Sequence, residues 1–235
     1  MSYRALASDY DGTLARDGAV DTETMAALIR FRQSGRRLIM VTGRELRDLE
    51  SVFPRLDLFD RVVAENGALL YTPAAKKKKL LAPPVSPSFM ATLKARGVRP
   101  LSAGEAIVAT WRPNEKIVAE VIRDLGLDLR VILNKGSVMV LPAGVYKTSG
   151  LEVALDDLRI SAQELAGVGD AENDLPFLAM CGLSAAVSNA LPEVKQAADV
   201  VLSSDHGHGV AELIDMILTE ESKSRPRPEP LSRLV

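Results

Sequence analysis

Residues 3–18 read YRALASDYDGTLARDG, and two aspartates, Asp9 and Asp11, close the apolar run at 4–8. A buried carboxylate costs several kcal/mol unless something pairs with it. The run therefore reads as a buried strand whose C-terminal end opens on a solvated edge or a cation. Residues i and i+2 of a strand point the same way, so Asp9 and Asp11 face one place. Gly12 permits a sharp turn there, and Thr13 adds a hydroxyl.

Outward from this strand the chain keeps a β/α rhythm. Met25, Leu28, Ile29 and Arg32 fall at helical spacing between Asp21 or Thr22 and Gly35, and the strand-like RRLIMV (36–41) follows. TGRELRDLESVF (42–53) predicts a helix opening on a Gly turn, RVVAENG (61–67) a third strand and ALLYT (68–72) a short return strand. Such alternation predicts a parallel sheet with crossover helices. The Pro-rich, Lys-rich TPAAKKKKLLAPPVSPS (72–88) then reads as a connection. Residues 88–97 predict a helix, AIVATW (106–111) a strand, PNEKIVAEVIRDLG (113–126) a helix and LRVILNKGSVMVLP (129–142) a hairpin. From Lys147 the β/α rhythm returns, with ENDLPFLAMCG (172–182) predicting a helix.

The fold class expected is α/β: a Rossmann-like parallel-sheet core, residues 1–76 and 145–220, with an inserted α+β cap at 77–144. Residues 221–235 end in a charged, Pro-rich run and read as a flexible tail or linker.

The composition, 47% hydrophobic and 26% charged, is that of a globular protein with a sizeable core. Lys and Arg number 29 against 31 Asp and Glu, a formal net charge of -2, so no global field advertises nucleic acid or an anionic membrane as partner. No apolar run reaches the ~18 residues of a membrane span. One cysteine, Cys181, and no leader-like segment ahead of the first strand give a cytoplasmic expectation.

Polar groups recur at the C-terminal ends of the expected parallel strands, the edge where open α/β sheets bind ligands. They are Asp9 and Asp11, then Thr42, then Asp170, Asn173 and Asp174 in GDAEND, with Lys147 at the helix start after the insertion. Carboxylate oxygens completed by water and phosphate are what Mg²⁺ prefers. Thr42 with the Gly43 and Arg44 amides makes an anion pocket at a helix N-terminus, and Lys147 supplies a compact positive charge. The set suits phosphoryl transfer: one carboxylate attacks phosphorus, cations offset the repulsion, and Asp11 donates a proton to the leaving alkoxide and then activates water.

DYDGTL, VTGR, the lone Lys147 and GVGDAENDLPFL, in this order over about residues 3–218, resemble the four motifs of the haloacid dehalogenase (HAD) superfamily. The insertion after AENGALLY is similar to the type C2 cap of subfamily IIB (Cof-like), as in phosphoglycolate phosphatase-like and sucrose-phosphatase-like members. The resemblance implies Asp9 as nucleophile, Asp11 as general acid/base, and Thr42 and Lys147 as phosphate ligands, with Asn189 near the phosphate; Gly43, Arg44 and Asn173 are further candidate phosphate contacts. It implies Mg²⁺ held by Asp9, the Asp11 main-chain carbonyl and Asp170, with Asp174 acting through water. The activity implied is hydrolysis of a small phosphorylated metabolite, a sugar phosphate or phosphoglycolate. A phosphotransferase or mutase on the same scaffold, and a phospho-ligand-binding regulatory module of a larger protein, are the alternatives.

Other residues carry plainer readings. Lys76 to Lys79 read as a solvated connection, His206 and His208 as a solvated loop, Cys181 as a small core residue, and Trp111, where the insertion faces the core, as a packing residue or a substrate contact. Arg112, Lys135 and Ser137 are candidate contacts to the leaving group.

Overall fold

The computed structural model of the chain describes residues 3–134 and 136–224. β1 (Ala5–Ser8) is buried along its whole length. It is followed by α1 (Thr22–Gln33), capped by Asp21, whose Oδ1 accepts from the Thr24 amide at 2.8 Å. The chain continues through β2 (Arg37–Val41), α2 (Leu46–Val52), β3 (Arg61–Ala64), β4 (Leu69–Thr72) and β5 (Lys77–Leu80). Next come α3 (Pro87–Ala95), β6 (Ser102–Ala103), β7 (Val108–Trp111), α4 (Glu115–Asp124), β8 (Leu129–Asn134) and β9 (Ser137–Pro142). The last stretch holds α5 (Lys147–Leu158), β10 (Leu165–Gly169), α6 (Leu175–Leu178), β11 (Leu183–Ala186), α7 (Pro192–Ala197), β12 (Val200–Val201) and α8 (His206–Ser224).

Among the described residues there are two sheets. The larger runs in the order β12-β11-β10-β1-β2-β3-β4-β5, parallel from β12 to β3 and antiparallel through β4 and β5. The chain leaves β1 for β2 on one side and returns to β10 on the other. The direction of winding therefore switches beside β1, which puts the ligand crevice at the carboxyl ends of β1, β2 and β10. Apolar runs buried on both faces make these strands. Leu6, Ile39, Met40, Val63 and Val168 are fully buried, each contributing about 1.5–3 kcal/mol relative to exposure. α1 lies against α8, and α5 lies across β2, β3 and β4.

The smaller sheet, β6-β7-β9-β8, is antiparallel throughout. Strand alternation divides its side chains. Val108, Val138 and Val140 pack with Phe89, Leu93, Val118 and Val121 of α3 and α4, while Ala109 pairs with Met139 and Trp111 with Ser137 on the opposite face, toward the large sheet.

Gly67 governs how the chain re-enters the large unit. Its φ is +105°, and a Cβ there would lie 1.8 Å from the Tyr146 carbonyl oxygen. Only glycine lets the loop after β3 touch the backbone that opens α5, and that contact seats Lys147 at the sheet's edge.

Three stretches differ from the sequence reading. Lys77–Leu80 is an exposed edge strand paired with β4, not a solvated connection. Charged side chains are tolerated on a strand with one side in solvent, so no apolar pattern marks it. The insertion boundary expected at residue 77 therefore coincides with the start of a strand still in the large sheet. The helix expected from residue 172 is a 3-10 turn, Glu172–Asp174, followed by the single-turn α6. α8 begins at His206 and runs to Ser224, taking in His208 and residues 221–224 of the expected tail; residues 225–235 lie outside the described residues. Among the described residues no helix is long and apolar enough to cross a membrane.

Candidate active site

The crevice between the carboxyl edge of the large sheet and the smaller sheet has a volume of about 710 Å³. Asp9, Asp11, Gly43, Arg44, Lys147 and Asn173 all line it. Thr42, Asp170 and Asp174 lie buried at the ends of the same strands.

Asp9 follows β1 directly, and its amide donates to the Val168 carbonyl of β10 at 3.1 Å. Lys147, only 4% exposed, donates from Nζ to Asp9 Oδ1 at 2.6 Å and to Asp174 Oδ1 at 2.7 Å. The other Asp174 oxygen accepts from the Asp170 and Ala171 amides at 2.9 and 3.0 Å. Asp170 Oδ1 accepts from the Thr13 hydroxyl at 2.8 Å.

Asp9, Asp170 and Asp174 each offer a carboxylate oxygen, all within 4.8 Å of one another, and all three residues are buried. One ammonium cannot balance three carboxylates. Burial pushes the Asp9 carboxyl well up, Lys147 opposes this, and the charges of Asp174 and Asp170 raise it further. Burial works against the Lys147 ammonium, but Asp174 and Asp9 outweigh it, so its pKa stays above the ordinary value and the group remains charged. A hard divalent cation with oxygen ligands fits this excess of buried negative charge. Asp174, with both oxygens already engaged, is placed to support such an ion rather than to lead its coordination.

Asp11 stands across the crevice mouth, about half-exposed. Both its oxygens accept from one guanidinium, Arg44 Nε to Oδ2 and Nη2 to Oδ1, each at 2.7 Å. Arg44 also pairs with Asp48 and lies 5.5 Å from the centroid of the Tyr10 ring. These hydrogen bonds, that to Asp11 foremost, hold the guanidinium above its ordinary pKa. The Arg44 amide donates to Thr42 Oγ1 at 3.1 Å. In this arrangement the Arg44 side chain serves Asp11 and Asp48, and its amide serves Thr42.

Asn173 donates to Asn66 Oδ1 at 3.4 Å, and its own buried Oδ1 has no hydrogen-bond partner among the described residues, leaving an acceptor at the crevice wall. Asn189 is not among the lining residues: its Nδ2 donates to the Gly12 carbonyl at 2.7 Å, and its Oδ1 accepts from the His206 amide at 2.8 Å. It holds the loop after Asp11 to the start of α8.

Several lining residues were not legible. His206 reaches the crevice from the first turn of α8, with Nδ1 3.5 Å from Asp205 Oδ2. Trp111, read as packing or as a substrate contact, is 54% exposed on the crevice face, so the packing reading does not hold. Ser102, Ile107, Ala109 and Met139 join Trp111 and the anticipated Ser137 in the same wall. The alternation of β7 and β9 was the signal that could have found them, since Val108, Val138 and Val140 occupy the opposite face. Arg112 does not line the crevice, and Lys135 lies outside the described residues.

Residues 6–96 and 106–214 match the family of haloacid dehalogenase-like hydrolases. A phosphoglycolate phosphatase of Methanothermobacter thermautotrophicus is 31% identical over 219 residues, covering 90% of this chain and 97% of that protein. Among solved structures, a haloacid dehalogenase-like hydrolase from Bacteroides thetaiotaomicron superposes with a TM-score of 0.79 at 20% identity, covering 92% of this chain and 100% of that one. A sugar phosphatase of HAD subclass IIB gives a TM-score of 0.73 at 18% identity, covering 91% and 98%.

Proposed function

The chain belongs to the haloacid dehalogenase-like hydrolases, and from that premise we propose that it is a Mg²⁺-dependent phosphatase of small phosphorylated metabolites, of the phosphoglycolate or sugar phosphate type. The observation that carries this reading is Asp9, buried beside the Lys147 ammonium at 2.6 Å and within metal-sharing distance of Asp170 and Asp174.

In this reading Asp9 attacks phosphorus while the bond from phosphorus to the leaving oxygen breaks, giving an aspartyl-phosphate. Asp11 gives its proton to the departing alkoxide, then takes one from the water that attacks the aspartyl-phosphate, releasing inorganic phosphate and regenerating both carboxyl groups. Lys147 holds a phosphoryl oxygen and keeps Asp9 oriented. Thr42 and the Gly43 amide receive another phosphoryl oxygen, and Asn173 lies beside them. Asp9, the Asp11 carbonyl and Asp170 would hold the cation, with Asp174 behind them. Bound there, it supplies positive charge that offsets the repulsion between the nucleophile and a dianionic phosphate. Arg44 acts on the site through Asp11, and Asn189 through the loop that carries Asp11. The inserted unit that follows β5, up to residue 144, acts as a cap that shields the crevice from bulk water during turnover. The one cysteine and the burial that keeps it a neutral thiol agree with a reducing cytoplasm.

The test is phosphate release from a panel of phosphorylated metabolites and a generic aryl phosphate, with Mg²⁺ or with chelator, wild type beside Asp9→Asn. Mg²⁺-dependent release lost in the variant is the expected result. Substantial turnover by a clean, folded Asp9→Asn preparation would overturn the covalent role. A phosphorylated acceptor in place of free phosphate would make the enzyme a transferase.

A further inference from the structure

The mechanism leaves one buried carboxylate without a role. Glu65 follows β3, is 1% exposed, and has φ +53°, a left-handed conformation rare for any residue but glycine. Among the described residues no cation pairs with it. Three consecutive amides converge on it instead: Glu105 N to Oε1 at 3.0 Å, and Ala106 N and Ile107 N to Oε2 at 2.8 and 3.1 Å.

Such a nest of N–H groups is built for an anion. A carboxylate offers two acceptor oxygens to three donors, whereas the isosteric glutamine would turn an NH₂ toward one of them. The strap closes to bare backbone, since a Cβ on Gly104 would lie 2.4 Å from Glu65 Oε1.

What the strap connects gives this contact its meaning. The three amides belong to the turn between β6 and β7, which carries Ser102, Ile107, Ala109 and Trp111 into the crevice wall. On the other side, the Glu65 amide donates to the Arg44 carbonyl and the Asn66 amide to the Thr42 carbonyl, both at 3.0 Å. One residue thus grips the wall facing the leaving group with its side chain, and the loop proposed to hold the phosphate with its backbone.

We propose that Glu65 is a positioning residue for the phosphatase reaction, setting the distance between the leaving-group wall and the phosphate end of the crevice. This rests on the phosphatase reading above. Loss of the grip lets the wall drift while Asp9, Lys147 and Asp170 keep their places. Substrates that use the wall should then suffer more than those too small to reach it.

The test uses the full chain as Glu65→Gln and, separately, Gly104→Ala, which crowds the strap while keeping the carboxylate. Trp111 is the only tryptophan and lies in the wall, so its acrylamide quenching reports wall position without any substrate. Folded variants should show stronger quenching than wild type. The ratio of kcat/KM for a hexose phosphate to that for acetyl phosphate should fall about tenfold or more, because misplacement costs proximity at the reacting centre.

Wild-type quenching and an unchanged ratio in folded variants would overturn the proposal, as would equal losses on both substrates or failure of both variants to fold. A wild type that releases phosphate from neither these two substrates nor any compound of the metabolite panel would refute the phosphatase reading instead, and the quenching result would then decide the role of Glu65 alone.

Discussion

Lys147 places one ammonium against two buried carboxylates, at 2.6 Å from Asp9 and 2.7 Å from Asp174. Lys147→Met should abolish turnover and, by leaving those charges unpaired, lower stability by about 3–5 kcal/mol. A urea titration at neutral pH would read that loss, and added Mg²⁺ should recover part of it. Two further side chains make an alkaline prediction. Burial raises the Tyr10 phenol from 10.0 to about 12 and the Cys181 thiol from 9.0 to about 12. The unfolded chain gives up these protons first, so their contribution is complete below about pH 9 and is lost as pH rises toward 12. The urea midpoint should fall across that window, and native Cys181 should resist iodoacetamide at pH 8 and react once unfolded. Asp9, Asp170 and Lys147 were legible because charges at the ends of apolar strands, and a lysine at a helix start where it opposes the dipole, together have few innocent explanations. The engagement of Arg44 with Asp11 was not, since Asp11 reads as the general acid/base and Arg44, 33 residues away, as serving the phosphate, and neither names the other.

β5 shows how charge can hide a strand and also protect it. Its backbone is an open edge, and Lys77, Lys78 and Lys79 project from it exposed, with Lys78 paired to Glu105 at 3.0 Å. Lysines on an edge repel a second copy that might extend the sheet. Replacing Lys77 and Lys79 with threonine should produce concentration-dependent self-association in light scattering, with the monomer's circular dichroism retained. β1, β2 and β10 were legible because strands buried on both faces read as continuous apolar runs. β5 and the His206-Gly207-His208 turn of α8 were not, because lysines suggest solvent and glycines suggest a loop, and only pairing with β4 and the Asn189 cap resolve them. The start of α5 depends on a residue far away in sequence. Gly67→Ala should push the Tyr146 backbone aside and carry Lys147 with it. Phosphate release should fall by about two orders of magnitude, while the helical signal in circular dichroism changes little.

Across the molecule, the buried excess of negative charge should tie stability to a divalent cation. Mg²⁺ should raise the melting temperature of the wild type, by the equivalent of about 2.7 kcal/mol at a hundredfold excess over Kd, and should do little for Asp170→Asn. Because burial holds the Asp9 carboxyl up, protons compete with the metal as pH falls through that raised range, so the gain should shrink in acid. The division of labour between the two sheets has a further consequence. The charged groups of the centre all come from the large sheet and from α5, whereas Ala109, Trp111, Ser137 and Met139 come from the smaller one. The smaller sheet's outward valines, not its crevice residues, hold it to α3 and α4. Ala109 and Met139 also pack with Ala68, Ile107 and Leu141, but the exposed Trp111 and its neighbour Ser137 can be rewritten without touching either the charges proposed to react or that packing. Such a scaffold can exchange one substrate for another in small heritable steps while its chemistry stays fixed.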